Sequence, residues 1–101
     1  MWLFAMFDLP VKTKKQRRKY TEFRKGLLSN GFIMLQYSVY ARFCASDETT
    51  KAYKKRVKDI LPPEGQVRLA AFTDIQFGKM DVFCGKKAEE PEKKPDQLML
   101  F

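Results

Sequence analysis

The feature that most constrains the fold is the apolar run at residues 2–7, which is followed at once by Asp8, Leu9 and Pro10. A run that is apolar on both faces predicts a central β-strand that is covered on both sides. Proline has no N–H group to donate to a neighbouring strand, so the strand should end before Pro10. The fold must therefore cover both faces of a β-sheet.

Residues 13–30 predict the first helix. Thr13 and Gln16 have the spacing of a capping box, which begins a helix, and Asn30 with Gly31 supplies a left-handed stop. Between these ends, apolar residues recur at three- and four-residue spacing. One face of this helix is therefore expected to be buried.

Residues 32–61 predict two strands and a second helix. The extended stretch at residues 32–44 is too long for one strand, so we expect two strands that meet near Tyr37 and Ser38. Asp47 and Glu48 suit the first turn of a helix, and Pro62 ends that helix.

The pattern of residues 66–85 supplies the last elements that are needed to assign a fold class. Residues 66–71 alternate as a half-buried strand does, residues 73–79 predict a turn or short helix, and residues 81–85 predict one more short strand. The order strand, helix, strand, strand, helix, strand is that of ferredoxin-like folds. We therefore predict an α+β, ferredoxin-like βαββαβ fold with an extra short C-terminal strand, its sheet packed on the sheet of a second copy in a homodimer.

The length and the C-terminal composition divide the chain into three parts. Residues 1–85 predict a single domain, and residues 86–97 are charged, contain two prolines and predict a linker. The chain then closes on four apolar residues, Leu98, Met99, Leu100 and Phe101. We expect this segment to dock, either back on its own domain or as an added strand on a partner.

The charge balance favours a polyanionic partner. The chain has 20 Lys and Arg against 12 Asp and Glu, a net charge of +8, which suits nucleic acid or an anionic membrane surface. No apolar run approaches the roughly 20 residues that span a bilayer, and the first residues lack the pattern of a signal peptide. We therefore expect a cytoplasmic protein with a nucleic-acid partner and no membrane partner.

The chain contains no histidine, and its two cysteines, Cys44 and Cys84, are far apart. Catalysis by Ser-His or Cys-His pairs and histidine metal ligation are therefore excluded, and the cysteines predict reduced thiols. Hydrolytic chemistry would have to come from carboxylates with a hard metal ion, or from Lys, Tyr or Ser.

Asp8 is the candidate carboxylate because it follows a buried strand and precedes a proline turn. A carboxylate in this position can bind Mg²⁺ or Mn²⁺, which prefer oxygen ligands. The alternative is that it accepts hydrogen bonds from the backbone of the turn. One carboxylate makes a poor metal site, whereas two brought together across a dimer axis make a credible one.

Basic residues are concentrated around the start of the first helix, where cations oppose the helix dipole. This placement favours a phosphate held at that helix end over an ordinary solvated basic face. The candidate nucleic-acid contacts are Lys12, Lys14, Lys15, Arg17, Arg18 and Arg24.

The stretch at residues 36–43 alternates polar and aromatic groups. Such a strand can stack on nucleic acid, but it is more often a packed sheet or a subunit interface. We therefore predict Tyr37, Val39 and Tyr40 at the dimer interface, with Arg42 placed to reach a phosphate.

In combination, these features resemble the CRISPR-associated Cas-two family, and most closely the form that accompanies type II systems. The resemblance covers nearly the whole chain. It rests on residues 6–10, the helix at residues 13–30, Asn30-Gly31-Phe32, residues 35–40, residues 61–65 with Val67-Arg68, Phe72-Thr73-Asp74 and residues 98–101.

The resemblance implies a homodimer in which Asp8 of both protomers meets at the interface and holds Mg²⁺ or Mn²⁺. Some members are similar to metal-dependent nucleases that act on RNA or DNA. The family also implies that the chain binds duplex prespacer DNA beside the Cas-one integrase during spacer acquisition, with residues 98–101 as the docking strand. The alternative is a non-catalytic RNA-binding module unrelated to CRISPR.

Overall fold

The computed structural model describes residues 1–95, and its order of elements is the predicted one as far as Cys84. The elements are β1 (Trp2–Asp8), α1 (Lys14–Ser29), β2 (Ile33–Gln36), β3 (Val39–Phe43), α2 (Asp47–Asp59), β4 (Gln66–Phe72), α3 (Asp74–Gly78), β5 (Val82–Cys84) and β6 (Lys87–Glu89). The first four strands form one antiparallel sheet in the order β2-β3-β1-β4. The fold is therefore α+β and ferredoxin-like.

β1 lies between two strands, as its apolar sequence predicts. Leu3, Ala5 and Phe7 pack into the core with α1 and α2. Trp2 and Phe4 point to the opposite face, where they belong to a second buried cluster. Side chains alternate between the two faces along a strand, and both faces of β1 are buried over residues 2–5 within one chain.

The sequence signals at the ends of α1 are confirmed. Thr13 and Gln16 form a complete capping box, and Gly31 follows the helix at a φ of +82°. Phe23 and Leu27 form the buried stripe of this helix. Spacing and caps therefore determined this element almost entirely.

The junction near Tyr37 and Ser38 is also confirmed, because β2 ends at Gln36 and β3 begins at Val39. Ser38 takes the left-handed conformation, with a φ of 65°. This conformation is uncommon outside glycine. The turn therefore forms without the Gly or Asn that usually marks one.

A short C-terminal unit, which comprises residues 73–95, covers part of the sheet face opposite the helices. Phe77 of α3 is buried, and it stacks on Trp2 and meets Phe4 edge to face. Towards Asp8, Met6 and Val39 on the same face are only half-buried. One end of this face is therefore closed within the chain, and the other is more open.

The prediction of a linker at residues 86–97 is corrected at its start, because Lys87–Glu89 forms β6 and pairs with β5. Gly85, at a φ of +64°, turns the chain so that Cys84 faces Lys87. Two extra strands are present where one was predicted. The docking segment at residues 98–101 lies outside the described residues. Within residues 1–95, no helix is long and apolar enough to cross a membrane.

Candidate nucleic-acid interface and carboxylate site

Asp8 is the last residue of β1 and lies on the sheet face opposite the two long helices. Its side chain is exposed. Within residues 1–95 its carboxylate forms no ion pair and accepts no hydrogen bond. The described part of the chain therefore gives no support to the alternative in which backbone N–H groups of the turn satisfy this carboxylate.

The neighbours of Asp8 on β4 are polar. The register pairs Asp8 with Gln66 and Met6 with Arg68, and directly opposed residues of antiparallel strands share a face. Arg68 Nε donates to Gln66 Oε1 at 3.3 Å. Sequence analysis missed Gln66 and Arg68, although they are the polar positions of an alternating strand. A carboxylate, an amide and a guanidinium therefore lie together at the open end of the face.

Gly65 packs against the backbone of Asp8. Its φ is +92°, and a Cβ atom at this position would lie 2.7 Å from both the carbonyl oxygen of Asp8 and Cδ2 of Leu9. An L-side chain is disfavoured both by the backbone conformation and by the lack of space. This contact holds the β4 loop against the end of β1, where Asp8 begins the turn.

The residues near Asp8 fit a metal ion shared between two chains better than an ion held by one chain. In residues 1–95, no three His, Cys, Asp or Glu side chains are close enough together to hold an ion. Mg²⁺ is commonly held by one or two carboxylates together with waters and substrate phosphates. Asp8 is exposed and has no ion-pair partner among the described residues, so it can supply one ligand, and a second chain would have to supply the other.

The first turns of α1 present cations to solvent, and its first turn contains no acid. Lys14, Lys15 and Arg18 are exposed, as is Lys12 in the preceding loop, whereas Arg24 is half-buried. None of these five forms an ion pair within residues 1–95. The basic surface predicted from sequence is therefore available to a phosphate backbone, and the phosphate contacts themselves stay predictions.

Arg17 has a structural role that sequence analysis missed. Its Nη1 donates to the carbonyl oxygen of Val11 at 3.2 Å and to that of Lys12 at 3.0 Å. The side chain therefore fastens the loop between β1 and α1 to the helix. A guanidinium has five N–H groups in a fixed fork, so these two bonds leave others free for phosphate.

Arg42 was predicted to reach a phosphate, but it is held within the chain. Its guanidinium carbon lies 3.8 Å from the ring centroid of Tyr53, and its Nη1 donates to the carbonyl oxygen of Phe43 at 3.2 Å. Gly31 leaves room for it, since a Cβ atom there would lie 3.2 Å from Nη1. The guanidinium of Arg42 beside the phenol holds the pKa of Tyr53 below its ordinary value. Strand alternation turns Arg42 towards α2, so its guanidinium is engaged within the chain, and its contact with a phosphate stays a prediction.

The three residues predicted at a dimer interface have different environments. Tyr37 is 88% exposed at the turn between β2 and β3. Val39 is half-buried on the face that carries Asp8. Tyr40 is 1% exposed in the core under the helices, where it packs against Phe7. The prediction for Tyr40 is therefore corrected, because its pairing with Ala5 turns it to the helix side of the sheet.

With this geometry established, comparisons with known proteins identify the family. A family model described as CRISPR associated protein Cas2 matches residues 1–80. The CRISPR-associated endoribonuclease Cas2 of Parvibaculum lavamentivorans is 50% identical over 101 residues, the full length of both chains. The protein of the same description from Flavobacterium psychrophilum is 46% identical over 101 residues, which cover all of this chain and 88% of the relative. That of Ligilactobacillus salivarius is 38% identical over the full length of both chains. A family model matched over most of the chain and relatives aligned from end to end show that this chain belongs to the CRISPR-associated Cas2 family.

Proposed function

We propose that this chain is a CRISPR adaptation protein that forms a homodimer and holds duplex prespacer DNA beside the Cas-one integrase during spacer acquisition. The observation that carries the proposal is the exposed basic surface of α1. The cations of its first turns, Lys14, Lys15 and Arg18, form no ion pair within residues 1–95. Membership of the Cas2 family sets aside the alternative of an RNA-binding module unrelated to CRISPR.

The basic surface suits a duplex held by its phosphates. Lysine and arginine side chains on a helix can neutralise phosphates and release the counterions that surround a duplex. Contacts of this kind position the duplex but do not read its sequence. Binding is therefore expected to weaken steeply with salt and to show little sequence preference, as a protein that accepts many different prespacers requires.

The dimer is proposed to form through the more open end of the sheet face. Met6 and Val39 are only half-buried there, and they lie beside the exposed Asp8. A two-fold contact repeats the same patch on both partners, so it would bring two Asp8 side chains towards one axis. This geometry supports a shared metal site, and Tyr37 would lie at the rim of the interface.

A second activity, metal-dependent cleavage of RNA or DNA, is proposed at Asp8. Asp8 of each protomer would hold Mg²⁺ or Mn²⁺, and Arg68 lies near enough on the same face to attract a phosphate. The bound ion would supply charge neutralisation on the phosphate and an activated water for in-line attack. Relatives named CRISPR-associated endoribonuclease support this activity.

The test compares the wild-type protein with Asp8→Asn, which removes the negative charge and keeps the shape of the side chain. Cleavage of labelled RNA and DNA is measured with Mg²⁺, Mn²⁺ and EDTA, and spacer integration is measured with the Cas-one integrase. We expect the variant to lose metal-dependent cleavage and to retain integration. Cleavage that persists in the variant would show that Asp8 does not hold the metal ion. A wild-type protein that does not support spacer integration with the Cas-one integrase would overturn the adaptor function.

A further inference from the structure

The second long helix also carries a row of lysines on its solvent side. Lys51, Lys55 and Lys58 are exposed and follow one another at four- and three-residue spacing, which places them on one face of α2. Thr50 and Val57 form the buried side of the same helix. The lysine row, defined as these three residues, therefore points away from the core.

The lysines of the row repel one another along the helix that carries them. Like charges at three- and four-residue spacing repel each other, and Lys55 has a lysine at both distances. The acids of α2 lie at its two ends, namely Asp47, Glu48 and Asp59. None of them forms an ion pair with the row within residues 1–95. Asp47 and Glu48 precede Lys51 by four and three residues, and Asp59 follows Lys55 by four, so these acids attract the row without pairing with it in the described part of the chain. Exposed lysines in such a row are well suited to a polyanionic ligand.

The lysine row lies on the same side of the molecule as the basic surface of α1. Phe23 and Leu27 of α1 and Val57 of α2 belong to one core cluster, so both helices cover one face of the sheet. Gly26 lies against Ile60, where an added Cβ atom would be 2.7 Å from Cδ1 of the isoleucine. The solvent sides of the two helices therefore form a single outer layer.

A nucleic-acid duplex suits such a layer, because it carries phosphates along its whole length. Lysine and arginine side chains on both helices can therefore contact phosphates of one duplex. An acidic protein surface would offer carboxylates at irregular positions, whereas a duplex offers a regular array of charges.

We propose that the lysine row of α2 is a second phosphate-binding surface, which contacts the backbone of the same duplex that α1 holds. The inference rests on the proposed binding of duplex DNA and extends the binding face from one helix to two. Its contacts are made to phosphate, so they add affinity and salt dependence without sequence preference.

The experiment compares the full-length wild type with three variants of equal charge loss. The α2 variant carries Lys51→Gln, Lys55→Gln and Lys58→Gln, and the α1 variant carries Lys14→Gln, Lys15→Gln and Arg18→Gln. The control carries Lys86→Gln, Lys87→Gln and Lys93→Gln, which are exposed positions of the C-terminal unit. Affinity for a duplex of random sequence is measured against salt, and thermal unfolding verifies that each variant is folded.

We expect the slope of log affinity against log salt to fall in magnitude by about 0.9 for each phosphate contact removed, which is up to about 2.7 for the α2 variant. The control should keep the slope of the wild type, and lysine-to-arginine replacement of the row should restore it. An α2 variant that matches the control, while the α1 variant loses slope, would overturn this inference alone. A wild type with no salt-dependent duplex binding would overturn the proposed function as well. Loss of integrase binding with unchanged duplex binding would assign the row to a protein partner and overturn the inference.

Discussion

The ring of Phe77 stacks on that of Trp2, with centroids 4.1 Å apart and planes inclined by 10°. This contact joins the short helix α3 to the first residue of the central strand. Phe77 also meets Phe4 edge to face, at a centroid distance of 5.8 Å. One aromatic side chain therefore closes the Trp2 end of the sheet face that lies opposite α1 and α2.

We expect Phe77→Ala to lower the free energy of unfolding by about 3–5 kcal/mol, because it removes a buried aromatic side chain and leaves a cavity. The measurement is denaturant unfolding of the variant and the wild type. Ile75→Ala on the same helix is the matched control, since Ile75 is 70% exposed, and it should cost far less. Equal losses in the two variants would show that α3 contributes through its helix alone.

Gly65→Ala should lower the free energy of unfolding by about 1–3 kcal/mol, because it places a side chain at a left-handed φ and against the Asp8 backbone. Gly78→Ala is the control, because a Cβ atom there meets nothing within 4 Å and lies in a helix. That change should stabilise by up to about 1 kcal/mol. A neutral Gly65→Ala would mean that the loop moves freely relative to Asp8.

Arg42→Gln should raise the pKa of Tyr53 towards its ordinary value, because the guanidinium of Arg42, which lies against the ring, is the main cause of the depressed pKa. A tyrosine with a depressed pKa stabilises the fold above its unfolded pKa, and this contribution is lost as the pH falls through the folded-state pKa. Ultraviolet titration measures the change, and Tyr53→Phe assigns the signal among the four tyrosines.

Arg56→Gln is the control for this titration. Arg56 lies 4.9 Å from the ring centroid of Tyr53 and acts on its pKa only through charge. It should therefore shift the ionisation less than Arg42→Gln does. If the two variants shift it equally, the close stacking of Arg42 on the ring is not what lowers the pKa.

Lys55→Gln should change stability and DNA binding in opposite directions. It removes the repulsion of Lys55 from Lys51 and Lys58, which is worth about 0.2–0.5 kcal/mol for each pair, and loses a weaker attraction to Asp59. The net stabilisation should be a few tenths of a kcal/mol at low salt and should shrink as salt screens it. Denaturant unfolding at two salt concentrations measures it, and an unchanged stability would show that the lysines do not repel.

Sequence patterns within one segment were sufficient to predict the central strand and the first helix. The apolar run of β1 and the capping box at Thr13 were sufficient for a central strand and a long helix. β6 escaped prediction because its sequence, Lys87–Glu89, has no strand character, and it forms only because Gly85 turns it back on β5. The neighbours of Asp8 could not be predicted either, because Gln66 is brought next to Asp8 only by the pairing of β4 with β1.

The placements of Tyr40 and Arg42 depend on strand pairing, which the sequence of one strand does not reveal. The strand contains three consecutive apolar residues, Val39, Tyr40 and Ala41. Their sequence therefore does not indicate which of them faces the helices. Pairing with β1 turns Tyr40 towards the helices and leaves Val39 on the opposite face. Arg42 follows Tyr40 by two positions, so the same register brings it to Tyr53 of α2. Both assignments depend on contacts between residues that are distant in sequence.

The sheet face opposite α1 and α2 is closed at one end and open at the other, and this difference affects the assembly kinetics of the proposed dimer. The end at Trp2 is sealed by Phe77 of the same chain, whereas the end at Asp8 stays accessible. A monomer can therefore complete its core before it meets a partner, so the proposed dimer forms by docking of finished surfaces. Such docking has typical association rates of about 10⁵–10⁷ M⁻¹s⁻¹. Subunits could then exchange between dimers without unfolding.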